Sequence, residues 1–533
     1  MARRRAASSS ALDLAPSGPI PSCFCVIYLR FASGMVRCPR MCPPWRVEQT
    51  NPKPPRNAPT TPPRNRSIGA RVYYPAASAG PNPSAAYWLP ASQYSSALPR
   101  YALHFRPPTA LTSLLRVVAE GCFYVLSLVE RKEGQHYAAP PAAPADVGMR
   151  PVAIFSHGAS GNRTMYSEMA GEIAARSGAV VVALEHLDGS ASVAREPTTS
   201  QSEGEKSADA TDSAHNGPLV RPAPADALSR ARWRWFEGLG GDEGCREKQE
   251  TRVRELRAAA RAVAALAAGE AGRDPSDPGG PGHGVVLRAH GGDAAVEALA
   301  ALGPSLDVSR CAVVGHSLGG VSALAASRQS STDDIAAQGG LAFLAAVAHD
   351  PWLTCLPRDL PPPTLPTLIL ASEGWHRRAR ENPLYGYNAT RLHETFAAHR
   401  SSETGGALFA AVAGASHVCF SDVSVRVHRS PLVKRAAALM GQSGGPSQAG
   451  AEPEPEGVAR AVQGATLAFL NRCWRDAPST ATTEAGLDAV VAALEGRAID
   501  PVLHAAGDVV VTRPTEDRGA LTVGAPTVQT IVS

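Results

Sequence analysis

Neither sign of charge dominates this 533-residue chain. Its 52 Lys and Arg against 48 Asp and Glu leave a formal net charge of +4, too little for the basic footprint of a nucleic-acid binder. Long apolar runs are missing as well. No segment reaches about eighteen uninterrupted apolar residues, so no membrane-spanning helix is expected. The apolar patch Cys23 to Met35 is short and broken by Arg30. The ten cysteines fall in no zinc-like Cys/His spacing. Cys311 and Cys419 read as small core residues rather than disulfide partners. Cys23, Cys25, Cys38 and Cys42 cluster near the N-terminus, where lipidation, metal binding and no role at all stay open. In excess are 48 glycines and 46 prolines, which point to long tracts outside a core rather than to two or three domains.

Composition shifts divide the chain. Met1 to Ser10 is basic, Ser/Ala-rich and free of acid, which suits a transit peptide or a signal n-region. Residues 43–65, rich in Pro, Asn and Arg, read as a linker, so 1–66 is expected to lie apart from the fold. A catalytic domain is expected over 67–475, with mobile insertions near 196–226, 269–284 and 441–456. Residues 476–533, with a short helix over Glu484 to Leu494 and a β-like Val509 to Thr512, form an extension to which no role is assigned. Lys248 to Ala268 places Val253, Leu256, Ala260, Val263 and Ala267 on one helical face, with Arg and Glu opposite, and is expected to pack on a sheet. Leu111 to Val129 carries an apolar stripe at helical spacing that suits either a core helix or a lipid-surface helix.

The chemistry-bearing residues sit where apolar runs end. Cys311-Ala312-Val313-Val314 runs into Gly315-His316-Ser317-Leu318-Gly319, followed by a helix-forming stretch from Val321 to Arg328. A bare G-x-S-x-G carries little weight in a chain with 48 glycines. The strand before it and the helix after it turn the pattern into a nucleophile elbow. Ser317 is therefore the candidate nucleophile. A serine hydroxyl needs a base within hydrogen-bond reach and an acid to orient that base. The run Leu341 to Ala348 ends in His349-Asp350-Pro351-Trp352, Thr364 to Ala371 ends in Ser372-Glu373, and Ala407 to Ala413 ends in Gly414-Ala415-Ser416-His417. His417 is the candidate base and Asp350 the candidate acid, with Glu373 the alternative. Val152-Ala153-Ile154-Phe155 ends in Ser156-His157-Gly158-Ala159, a loop of small residues suited to an oxyanion hole. The N–H groups of Leu318 and Ala159 are the expected donors. His157 and Trp352 are candidate pocket residues, and the side chains of Leu318 and Trp352 are expected beside the acyl or leaving group. The order Ser, acid, His at successive strand ends predicts an α/β-hydrolase fold with a mostly parallel central sheet flanked by helices.

The same residues resemble a known family. Phe155-Ser156-His157-Gly158, Arg163-Thr164, Tyr166-Ser167, and Glu185-His186 with Asp188 and Ser190-Ala191-Ser192 are similar to the platelet-activating factor acetylhydrolases of the plasma and intracellular type II kind. The similarity continues through the elbow, Asp350 with Trp352, Ser416-His417 with Phe420 and Asp422, and Leu467-Ala468-Phe469-Leu470. Val72-Tyr73-Tyr74-Pro75 and Tyr87-Trp88-Leu89-Pro90 resemble that family's N-terminal strands, so the likeness spans about residues 68 to 474. The resemblance implies a Ca2+-independent phospholipase A2 that removes short sn-2 acyl groups from ether or oxidised phospholipids, with no metal or organic cofactor. It also places Leu111 to Val129 near the interfacial surface and implies peripheral contact with a lipid surface. Two departures stand out: Leu318 occupies a position where the family typically has an aromatic, and Pro351 follows Asp350. A general lipase or carboxylesterase, and a silent binding module on the same fold, are the alternatives. Compartment (cytoplasmic, organellar or secreted) and oligomeric state stay open. Asn162-Arg163-Thr164 matches a glycosylation sequon, but a glycan there would crowd the oxyanion loop, so it is expected to be unused.

Overall fold

A computed structural model describes residues 22–30, 67–76, 148–196, 220–222, 232–269, 286–290, 293–328, 342–357, 365–373, 407–412, 415–430, 455–475, 502–505, 508–512 and 529–531, with a few short stretches within 93–137, 387–395 and 490–493. The strands are β1 Ser22–Arg30, β2 Ser67–Pro75, β3 His136–Tyr137, β4 Arg150–Ser156, β5 Val180–Glu185, β6 Val193–Glu196, β7 Val220–Pro222 and β8 Arg232–Trp235. They continue with β9 Val286–His290, β10 Leu306–His316, β11 Ala345–His349, β12 Thr367–Ser372, β13 Ala407–Val412, β14 Val502–Ala505, β15 Asp508–Thr512 and β16 Gln529–Ile531. The principal helices are α1 Ser167–Ser177, α2 Gly241–Ala268, α3 Asp293–Leu302, α4 Leu318–Ser327, α5 Asp422–Arg429 and α6 Pro455–Arg475.

The main sheet runs β13-β12-β11-β10-β4-β5-β2-β1-β9-β7, with β3 beside β1. From β13 to β5 every pairing is parallel; β2 then joins antiparallel to β5. Parallel strands are covered on both faces, which is why they read as continuous apolar runs. Alternate residues serve opposite layers. Ala153 and Phe155 pack toward α1 and α6, whereas Val152 and Ile154 pack toward α2 and α3. Each fully buried Val, Ile or Phe side chain among them contributes about 1.5–3 kcal/mol. This is the α/β-hydrolase fold.

Register decides where the chemistry lands. Gly315 pairs with Ser156, His316 with His349, His349 with Leu370, and Ser372 with Val412. The carboxyl ends of β4, β10, β11, β12 and β13 therefore finish along one edge. The chain leaves β4 toward β5 but returns from β9 to β10 on β4's other side, so a topological switch point opens between β4 and β10.

Several expectations change. Residues 1–66 do not all stand apart, because Ser22–Arg30 forms β1, antiparallel to β2 over nine pairs and to β9 over five. Its β-branched and aromatic residues suit a strand once β2 offers its edge. Part of the insertion 196–226 also pairs, as β7 lies parallel to β9. Helix α2 starts seven residues before Lys248, and its charged residues do not all face outward: Arg252 is fully buried and Glu255 is 6% exposed. Val509 to Thr512 lies in β15, within a separate sheet of order β14-β15-β16. The linker 43–65, Cys38, Cys42, Tyr87 to Pro90, and most of Leu111 to Val129, 197–219, 270–284, 441–454 and Glu484 to Leu494 lie outside the described residues. Among the described residues, no helix is long and apolar enough to cross a membrane.

A disulfide joins Cys245 near the start of α2 to Cys355 in the 3-10 turn Leu353–Cys355, a pairing no sequence spacing suggested. Cys311 and Cys419 are buried free thiols.

Candidate active site

Ser317 sits at the turn between β10 and α4 with φ 55 and ψ −119. A non-glycine residue there is strained, and the surroundings must enforce it. Ser317 N–H donates to the His349 carbonyl at 2.9 Å, and the Ser317 carbonyl accepts from Val321 N–H and Trp352 N–H, each at 3.1 Å. The flanking glycines are required by close approach. A Cβ on Gly315 would lie 2.2 Å from the Gly319 carbonyl oxygen, and one on Gly319 would lie 2.1 Å from that of Ser156. The motif's spacing is thus the contact distance between β10, α4 and the end of β4.

The structure brings Ser317, His417 and Asp350 together. Ser317 Oγ lies 3.0 Å from His417 Nε2, and His417 Nδ1 lies 2.7 Å from Asp350 Oδ2. Asp350 is 1% exposed, and its carboxylate is further oriented by Ser372: N–H to Oδ1 at 2.8 Å and Oγ to Oδ2 at 2.7 Å. Asp350 adopts φ 42, a region that Asp tolerates better than bulkier residues. The alternative acid, Glu373, is buried one residue beyond Ser372.

Against this group lies the loop after β4. A Cβ on Gly158 would lie 3.1 Å from Ser317 Cβ, so the loop's backbone passes directly over the serine. Among the described residues no hydrogen bond takes up the N–H of Ala159 or of Leu318. Trp352 is partly buried against the apolar cluster that includes Leu318 and Val321. The Leu318 side chain itself is fully buried in that cluster, so the expectation that it lines a pocket is corrected; only its N–H remains for a substrate.

His157 is also corrected. It is 1% exposed, with Nδ1 on the Gly158 carbonyl at 2.7 Å and Nε2 accepting from His186 N–H at 3.2 Å. It belongs beneath the loop, not in a pocket. Burial first, and then the Arg252 guanidinium, push its pKa well below the usual histidine range.

The structural roles of several residues escaped sequence reasoning. Arg252 on α2 donates to the His157 carbonyl, to Asp188 Oδ2 at 2.8 Å and to Ser190 Oγ at 2.6 Å. Burial works to raise the Asp188 pKa, but the Arg252 charge and the Ser190 hydrogen bonds overcome it and hold the carboxyl well below its ordinary value. His186 bridges Glu255 Oε2 at 2.5 Å and Ser156 Oγ at 2.7 Å. Burial first, and then the Arg252 charge, push the pKa of this imidazole well below the usual histidine range. The available signal was the polar run His186 to Ser192 between apolar segments. His316, the variable residue of the elbow motif, has Nδ1 2.8 Å from the Tyr166 hydroxyl oxygen, and its ring lies 4.5 Å from that of His417. Asn162, the sequon residue, is fully buried and accepts from Thr164 N–H and Oγ1.

A serine on a strand-to-helix elbow at the switch point, followed in chain order by Asp and His, is the α/β-hydrolase arrangement. The profile of the family described as "Platelet-activating factor acetylhydrolase, isoform II" matches residues 36–471. The chain belongs to that family. A Schizosaccharomyces pombe protein described as "Putative phospholipase A2" is 35% identical over 137 residues, covering 25% of this chain and 27% of that protein. The chain thus matches about a quarter of the length of that relative. A ferulic acid esterase from Streptomyces cinnamoneus aligns in structure over 87% of this chain and 94% of its own, at 18% identity and a TM-score of 0.45.

Proposed function

We propose that the protein hydrolyses the sn-2 acetyl, or short or oxidatively truncated acyl, ester of phospholipids, the reaction of a 1-alkyl-2-acetylglycerophosphocholine esterase. The observation that carries the chemistry is the Ser317–His417–Asp350 relay, at 3.0 and 2.7 Å, under a loop with an uncommitted N–H. Ser317 Oγ attacks the ester carbonyl as His417 Nε2 takes its proton, while Asp350 holds Nδ1–H and steadies the imidazolium. The N–H groups of Leu318 and Ala159 receive the developing oxyanion. His417 then protonates the departing lysolipid oxygen. Water, deprotonated by the same nitrogen, releases the acid and regenerates Ser317.

Family membership supports a phospholipid as substrate, and with it contact at a lipid surface; Val418, beside His417, is 52% exposed. The Cys245–Cys355 bridge supports residence in an oxidising compartment. The catalytic unit is taken as β1 together with residues 67–475. The deciding experiment measures hydrolysis against sn-2 chain length on one phosphocholine backbone, alongside fluorophosphonate labelling. Acetyl to medium-chain and truncated groups are expected to turn over and palmitoyl is not, with the label on Ser317. Comparable rates on acetyl and palmitoyl substrates indicate a general lipase, and an unlabelled Ser317 indicates a silent fold.

A further inference from the structure

The loop over Ser317 is tied down on both sides of Gly158. The His157 carbonyl accepts from Arg252 Nη1, and Gly158 N–H donates to the Tyr166 hydroxyl oxygen at 3.0 Å. The Gly158 carbonyl accepts from Gly161 N–H at 3.0 Å and faces His157 Nδ1 at 2.7 Å. Beyond it, Ser160 N–H donates to the Ser190 carbonyl at 2.7 Å. A trans peptide sets its N–H antiparallel to its C=O. Whatever fixes the Gly158 carbonyl therefore also aims Ala159 N–H.

The tautomer of His157 follows from its partners. His186 N–H is a donor, so the Nε2 it meets at 3.2 Å carries no proton. In a neutral ring the proton then sits on Nδ1, where the Gly158 carbonyl accepts it. Arg252 Nη2 also lies 3.5 Å from Nδ1, but it is engaged by Ser190 Oγ at 2.6 Å, so the longer contact does not decide the tautomer.

We propose that His157 is a positioning residue: locked in its Nδ1–H form by the His186 backbone, it orients the Gly158–Ala159 peptide so that Ala159 N–H points to where the ester oxyanion forms. This rests on the ester-hydrolysis reading of Ser317. An asparagine amide occupies about the place of a histidine Nδ1 and keeps the donor, whereas a glutamine amide reaches past it toward the place of Nε2.

The test compares His157→Asn and His157→Gln in the full chain on a soluble p-nitrophenyl ester, with a trifluoromethyl ketone as the transition-state probe and Ser317→Ala as the reference. His157→Gln is expected to lower kcat on the order of 10- to 100-fold, less than deletion of a donor outright. It should weaken ketone binding by the same factor while KM moves less than about twofold, and His157→Asn should stay within about threefold of the parent. Equal losses in both variants, or a kcat loss without weaker ketone binding, overturn the proposal. Should His157→Gln not fold, His157→Asn decides alone, and a loss beyond about threefold overturns it. Hydrolysis that survives Ser317→Ala instead removes the reading beneath, a separate failure recognisable as such.

Discussion

Mild acid should destabilise this protein well above the range in which ordinary carboxylates titrate. His157, His186, His316 and His349 are at most 4% exposed. Burial is the first cause that depresses each. The Arg252 charge adds to it for His157 and His186, and the neighbouring His417 and His349 add to it for His316. His349, whose Nε2 meets Thr466 Oγ1 at 2.8 Å, is pushed down to about 3 despite the adjacent Asp350 carboxylate. In the unfolded chain each imidazole titrates near its ordinary value of about 6.5. A folded pKa below the unfolded one means that the unfolded state takes up the protons. The contribution to stability is therefore full above about pH 6.5 and is lost as the pH falls. At about pH 5.5 each site favours the unfolded chain by a factor of about 11, roughly 1.4 kcal/mol, and the four together by about 5–6 kcal/mol. That is comparable with the whole stability of many domains, about 5–15 kcal/mol. Asp422 works against this fall: burial, and then Glu168, push its carboxyl up to about 8, so the folded state takes up a proton over the same range. Urea unfolding followed from about pH 8 to about pH 5.5 should show the remaining loss, with between about two and three protons taken up per molecule at the acid end. His349→Gln, whose amide can still reach Thr466, should remove about one proton from that slope. A loss of less than about 1 kcal/mol over the same range, or uptake of fewer than two protons, refutes the assignment of neutral buried imidazoles.

The remaining expectations concern the elbow, the relay and the disulfide. Ser317→Ala and His417→Ala should each lower kcat on the order of 10^4 or more, since such residues act as a unit. Asp350→Asn should approach the same loss through the wrong imidazole tautomer, and a mild effect there with a severe one for Glu373→Gln would reassign the acid. Gly319→Ala sets a methyl 2.1 Å from the Ser156 carbonyl oxygen, a backbone clash that should leave the chain insoluble or without esterase activity; a soluble variant of normal kcat contradicts the elbow geometry. Replacing Cys245 and Cys355 by Ala opens a loop of 110 residues and should cost about 4–5 kcal/mol on the chain-entropy account, read as a lower urea midpoint that dithiothreitol reproduces in the parent. Unchanged stability on full reduction contradicts the bridge.

Much of the fold and the relay could be read from the sequence, for local reasons. Strands buried on both faces must be apolar throughout, so β4, β10, β11, β12 and β13 show as runs, and the residue that ends each run lies at the sheet's carboxyl edge. The placement of Ser317, Asp350 and His417 is legible because each follows the end of such a run, with the turn glycines beside the serine. The tertiary structure alone decided what depends on partners far along the chain. The charged face assigned to α2 conceals Arg252 and Glu255, because helical periodicity treats a charge as solvent-facing unless its buried partner is known. The partners of Arg252, Asp188 and His157, lie 64 and 95 residues away. His157 looked like a pocket residue since its neighbours are small; only the His186 amide on one nitrogen and the Gly158 carbonyl on the other show it turned inward. β1 could not be recognised as part of the sheet, since a short apolar patch becomes a strand only when β2 and β9 stand on either side of it. The Cys245–Cys355 pair was beyond sequence reading for the same reason: proximity across 110 residues is a property of the folded chain, not of spacing.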